Sequence, residues 1–255
     1  MKKAFTLVEL LVVIAILAVL VGILLPVFSA AKVSSARAIS VNSLNQLMVG
    51  GRLYLNDNGD TFWPYSQGAT VGGTAGTMWW YGFEAGTSVH GTPEGQRICD
   101  YSQGPLGPYV MTSGGIKTDP AFLRYYPRLK PKYKDGNYGY GYNVLLAQDS
   151  NANPRNAGQV TYPSQMIVFA TCAQVNNFEP PASIANPMIE EFYWIDDIQT
   201  TAHFRHGKQA LAAFLDGSVR ALDMATDMQP GSQDMRIPSA NIGRFISSDV
   251  RQAGW

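Results

Sequence analysis

The sequence predicts an α+β fold, with a long N-terminal helix, membrane-spanning in its first half, packed on a C-terminal antiparallel β-sheet domain. Three observations predict it. An apolar run begins at Phe5 and gives way to a weaker three-four periodicity that ends near Tyr54. The chain beyond is rich in turn formers, with 25 glycines and 15 prolines overall and only 15% charged residues. Residues 200–222 then read as strand, turn, strand, tight turn, strand. Of 255 residues, enough remain after the helix for one well-buried domain. Lys plus Arg and Asp plus Glu are both 19, so no basic surplus marks a nucleic-acid partner.

The first element carries the most information. From Phe5 to Phe28 the only charge is Glu9, and such a run makes about 36 Å of helix. That spans a hydrocarbon core about 30 Å thick. Three readings fit a run placed directly after Lys2 and Lys3. One is a cleaved secretory signal, with Ser29-Ala30-Ala31 as its cleavage site, and another is a plain signal anchor. The third is a segment from which a peptidase removes only residues 1–4. The run exceeds the roughly 7–15 residues of a secretory core. Neither of the first two readings has a use for Glu9, whose charge costs about 2.5–3.5 kcal/mol at the centre of a span. Lys2 and Lys3 before the span are nearly matched by Lys32 and Arg37 after it, so charge alone orients the helix little.

Ala4-Phe5-Thr6-Leu7-Val8-Glu9-Leu10 resembles the cleavage and methylation site of type IV pilins and type II secretion pseudopilins. The resemblance implies cutting between Ala4 and Phe5, N-methylation of the Phe5 amine, and Glu9 as an assembly residue. In a filament of parallel helices, the Phe5 amine of one subunit would neutralise Glu9 of the next, a buried pair that sets register. The family usually has Gly where Ala4 stands. Pro26 matches a proline common in these proteins and should kink the helix. The implied organisation is a leader at 1–4, a transmembrane and filament-core helix at 5–28, its amphipathic continuation at 29–55, and a β-rich domain at 56–255. The implied partners are other pilin-like subunits, a prepilin peptidase and N-methyltransferase, and the inner membrane. The domain would lie on the periplasmic or extracytoplasmic side.

Past the membrane, Val33, Ala36, Ser40, Leu44, Leu47, Gly51 and Tyr54 keep a helical spacing. Gly50-Gly51 weakens it by about 1 kcal/mol per glycine. Asn56-Asp57-Asn58-Gly59-Asp60 is a strong stop. Thr77 to Phe83, Asn137 to Asn143 and Met166 to Ala170 are candidate strands. At 200–222 a three-stranded meander is expected, turning at His206-Gly207-Lys208 and at Asp216-Gly217. Nine residues separate His206 from Asp216-Gly217, which resembles the H-x9-DG motif of a large pilin-like family. Tyr54 to Gly59, Tyr140 to Asn143 and Tyr162-Pro163-Ser164 fit that family too. Its Cys-Pro element is replaced here by Lys117-Thr118-Asp119-Pro120.

Candidate chemistry outside the helix is sparse. His206 and Asp216 are the residue types of a catalytic or metal pair. An extended 209–215, however, would hold them about 20 Å apart, which favours a structural role in the two turns. Asp57, Asn58 and Asp60 match a fragment of a calcium loop without its distal glutamate; calcium is the only cofactor they suggest. Glu190-Glu191 and Asp196-Asp197 flank Phe192 to Ile195 and read as solvated strand ends. Cys99 and Cys172 either form one disulfide, if the domain is exported, or stay as buried thiols. Trp79 and Trp80 read first as core. They also support an alternative, a membrane-anchored domain that binds carbohydrate or protein. No G-x-S-x-G, HExxH or Walker pattern occurs, and the pilin resemblance implies a filament subunit that is not an enzyme.

Overall fold

Helix α1 spans Leu7–Asp57, with Pro26 inside it and Glu9 in its first turn. In this computed structural model, residues 7–86, 92–93, 95–110, 116, 118–125, 127–134, 139–148, 152–196, 201–226 and 240–245 are described. The chain divides into two compact units, Met1–Ala38 and Ile39–Trp255. α1 ends where the turn-forming cluster begins. Gly59 and Asp60 both take positive φ (60° and 59°), and the Asn58 and Asp60 amides donate to Leu55 O at 3.1 and 2.8 Å. Left-handed residues that return amides to the last turn are the usual way to close a helix.

Within the second unit, α1 buries Ser40, Ser43, Leu44, Leu47, Met48, Gly50, Gly51 and Leu55, a three-four stripe as expected. The two glycines that weaken the helix permit close approach. A Cβ on Gly50 would lie 2.6 Å from Val110 Cγ2, and one on Gly51 would lie 2.8 Å from the Trp63 ring.

The first sheet joins β1 (Ser66–Val71), β2 (Thr74–Trp79), β3 (Gly82–Ala85) and β4 (Cys99–Asp100) in sequential antiparallel order. Thr77 to Phe83 is therefore two strands and not one. Trp79 pairs with Gly82 across a tight turn at Trp80-Tyr81, because both turn residues face the core and are buried.

The remaining strands are β5 (Tyr140–Asn143), β6 (Ile167–Thr171), β7 (Gln174–Asn176), β8 (Met188–Glu190), β9 (Trp194–Ile195), β10 (Ala202–His203), β11 (Gln209–Phe214), β12 (Val219–Asp223) and β13 (Ile242–Gly243). Five of them form one sheet in the order β12-β11-β6-β5-β9, with β7-β8 and β10-β13 as separate pairs. Only β5 and β9 run parallel within the larger sheet. Every residue of β6 is buried, as a short unbroken apolar run requires when both sheet faces are covered.

One face of this sheet meets the α1 stripe through Trp63, Trp80, Tyr142 and Phe169, packed with Leu44, Leu47 and Leu211. Trp63 stacks on Phe169 with centroids 5.6 Å apart. The other face buries Ile167, Phe204, Ala212, Phe214 and Phe245.

The hairpin β11–β12 forms as expected, but the three-stranded meander does not. β11's other neighbour is β6, while β10 is two residues long and pairs with β13. Non-local pairing takes the edge that a local meander would have used. Asn137, Tyr138 and Thr200 lie outside the described residues.

Candidate functional site

Leu7 to Phe28 combines the length and apolarity needed to cross a membrane. Its large apolar side chains all point outward, from Val13 at 46% exposed to Leu7 at 79%. So large an apolar surface marks contact with lipid or with another protein. Glu9 stands on this surface in the first helical turn, where the positive end of the helix dipole favours a carboxylate. The helix runs on through Pro26. Ala4 and Phe5 lie outside the described residues.

In the second unit, His206 and Asp216-Gly217 sit at the two ends of β11, and each end reaches α1. His206 opens the strand. His206 N donates to Gln209 O at 3.0 Å, and Gly207 and Lys208 both take φ of 68°, as a type I′ turn requires. The His206 ring is buried, with Nε2 3.6 Å from Asp119 Oδ2.

Asp119 is the centre of this end. Its Oδ2 accepts from Arg205 Nε at 2.8 Å, with Arg205 Nη2 at 2.7 Å. Its Oδ1 accepts from Ser40 Oγ on α1 at 2.7 Å and from Ala121 N at 2.8 Å. Burial works against the Asp119 charge, but Arg205, His206 and Ser40 outweigh it and hold the carboxyl well below the usual carboxylate range. Arg205 also donates to Gly139 O at 2.7 Å and lies over the Phe122 ring. His203 Nδ1 lies 3.0 Å from Arg205 Nη1, so the neutral ring accepts there. Burial, then the Arg205 charge, lowers the pKa of His203. Burial likewise lowers that of His206, with Asp119 pulling the other way.

Asp216 and Gly217 close β11 at its far end. Asp216 Oδ1 accepts from Ser218 N at 2.8 Å and Ser218 Oγ at 2.7 Å. Burial works against its charge, but these bonds, with the Arg220 and Arg52 charges, outweigh it and hold the carboxyl below the ordinary value. Gly217 takes φ of 91°, and a Cβ there would lie 2.9 Å from Arg52 Nη1. Arg52, on α1, donates to Leu215 O at 3.3 Å and to Asp216 O.

The two ends of β11 therefore meet α1 at Ser40, through Asp119, and at Arg52. Those residues are about 18 Å apart along a helix, close to the roughly 20 Å length of a six-residue strand. Among the described residues no hydrogen bond or ion pair joins His206 to Asp216, which stand at opposite ends of β11.

Asp119 is the residue that sequence reasoning missed. It stands in the Lys117-Thr118-Asp119-Pro120 stretch of the sequence. An acidic residue in that element, opposite a His and an Arg far along the chain, was the available signal.

The other candidates separate. Asp57 accepts from Tyr109 Oη at 2.9 Å and Asn58 donates to Tyr54 O at 2.8 Å. No group of three metal-ligating side chains occurs among the described residues. Cys99 and Cys172 are both buried free thiols, on β4 and just after β6, so the disulfide is not formed. Trp79 stacks on Tyr81, and Trp80 Nε1 donates to Tyr193 O at 2.8 Å, so both rings serve the core. Glu190 and Glu191 are buried, not solvated, because Lys130 and Lys132 fold onto Glu190.

Residues 1–25 match the prokaryotic N-terminal methylation motif. The motif is the prepilin type, consistent with a type IV pilin or pseudopilin that is processed at its N-terminus. No curated protein and no solved structure gives a match.

Proposed function

We propose that this chain is a structural subunit of a prepilin-type filament, in a type II secretion or type IV pilus system. A prepilin peptidase cuts between Ala4 and Phe5, the Phe5 amine is methylated, and the apolar helix then leaves the membrane for the filament core. The observation that carries this reading is the outward apolar surface of Leu7 to Phe28 with one carboxylate in it, inside the methylation motif. Lipid covers that surface before assembly, and neighbouring helices cover it afterwards. Glu9, costly in lipid, is neutralised by the Phe5 amine of the next subunit. The β domain faces outward on the extracytoplasmic side, and the chain's work is assembly, not catalysis.

Replacing Glu9→Ala tests this. The variant should insert in the membrane normally and fail to enter filaments, scored by membrane fractionation and shear-released filaments. Normal assembly of the variant would overturn the reading. The mass of the mature N-terminal peptide gives a second check: methyl-Phe5 is expected, and a start at Lys32 would restore the secretory signal.

A further inference from the structure

Glu190 on β8 is fully buried, and four nitrogens converge on its carboxylate. Lys130 Nζ lies 3.5 Å from Oε2 and Lys132 Nζ 3.1 Å from Oε1. Asn176 Nδ2 donates to Oε2 at 2.6 Å and Gln174 Nε2 donates to Oε1. The backbone fixes these partners. β7 and β8 pair Gln174 with Glu190 and Asn176 with Met188. The segment around Leu129 runs along the other side of β8, with Lys130 N donating to Ile189 O at 2.8 Å.

Three features of this cluster are chemical as well as structural. The Asn176 carbonyl oxygen accepts two backbone amides, Phe178 N and Glu179 N, each at 3.1 Å. Paired amides on one carbonyl oxygen stabilise the charge that develops there when its carbon is attacked. A single carboxylate oxygen, Glu190 Oε2, reaches both the amine of Lys130 and the amide nitrogen of Asn176. That is the placement of a base that takes a proton from a nucleophile and passes it to a leaving group. Lys132 Nζ, by contrast, lies over the Tyr193 and Phe192 rings, 4.9 and 5.5 Å from their centroids. Burial lowers the pKa of Lys130, with Glu190 pulling it back, and so raises its share of neutral amine.

We propose that Lys130 and Asn176 join in an intramolecular amide bond, with Glu190 as the proton carrier. The Lys130 Nζ lone pair attacks Asn176 Cγ, and the negative charge forms on Oδ1 under the Phe178 and Glu179 amides. Glu190 Oε2 takes a proton from Nζ and delivers it to Nδ2. The Cγ–Nδ2 bond breaks, ammonia leaves and the Nζ–Cγ amide remains. No oxidant, water or cofactor enters the balance. The bond straps the Lys130 segment to β7 across β8, in a chain whose two thiols are unpaired.

The test is mass spectrometry of the full-length chain, extracted in detergent and then digested. The chain should be one ammonia lighter, about 17 Da, than its sequence with the N-terminal state read from the same digest. Fragment ions should show a branched peptide linking Lys130 to Asn176. Lys130→Arg, Asn176→Ala and Glu190→Gln should each give an unbranched chain with the full mass of its own sequence. Separate linear peptides with both side chains intact would overturn the proposal, whether or not the variants fold. So would a bond placed between Lys132 and Gln174, or the same mass loss confined to a linear peptide containing Asn176.

Discussion

At one end of β11, His206 and Arg205 meet Asp119 out of reach of water; at the other, Asp216 and Gly217 meet Arg52 in the open. Both ends hold the same helix, through Ser40 and through Arg52. The buried end relies on charge, and every charged atom there has to be answered, since an unpaired buried charge costs far more than a pair gains. The open end relies on backbone shape and on carbonyls that water would otherwise solvate. The difference teaches that a short motif can fix one geometry with two unequal energies, and the inequality is measurable.

The largest effect is expected from Asp119→Ala. It strands the Arg205 guanidinium without its counter-charge and should cost about 3–5 kcal/mol, read as a lower urea midpoint of the detergent-solubilised chain. An equal loss from Asp216→Ala would break the contrast.

A pH series sharpens it. His203 and His206 titrate below the ordinary 6.5 in the folded chain. Their contribution is therefore complete above pH 6.5 and is lost as pH falls below it, when the unfolded chain takes up protons first. Glu191, whose carboxyl burial pushes up to about 7, moves stability the other way, losing it as pH rises from 4.5 to about 7. The difference between wild type and His203→Phe cancels that term. The gap should shrink, in favour of the variant, as unfolding is measured from pH 7 down to 5; a gap that is constant with pH would show that His203 does not titrate on unfolding.

The smallest effects belong to the open end. Gly217→Ala, forced into a left-handed φ against Arg52, should cost about 1–2 kcal/mol. Arg52→Met should cost about 0.5–1 kcal/mol, because Leu215 O and Asp216 O can turn to solvent. Arg52→Met costing more than Asp119→Ala would reverse the ranking.

What could be read from the sequence follows the range of the interactions. Helix α1 was legible to within two residues of its end, because apolar run, periodicity and stop signal are all local. So was the β11–β12 hairpin, with Asp216-Gly217 at its tip. The strand expected at 200–205 is present at Ala202–His203 but paired otherwise, because its true partner, β13, lies some forty residues on, and no local pattern announces it. Trp80-Tyr81 was read through as strand because its turn is made by burial, not by turn-forming residues. At the candidate site, Glu9 was legible as a charge in an apolar run. Asp119 was not, since its meaning depends on Ser40 and Arg205, which are distant in sequence. Glu190 and Glu191 looked like solvated ends, and only the fold shows two lysines folded onto Glu190.

The two cysteines carry a consequence of their own. Burial pushes the Cys172 thiol up to about 12 and raises that of Cys99 as well, so neither offers a thiolate near neutral pH. Cys99 on β4 and Cys172 just after β6 belong to different core clusters. Among the described residues the fold is therefore held without a covalent cross-link between cysteines, and its core treats both thiols as small apolar side chains.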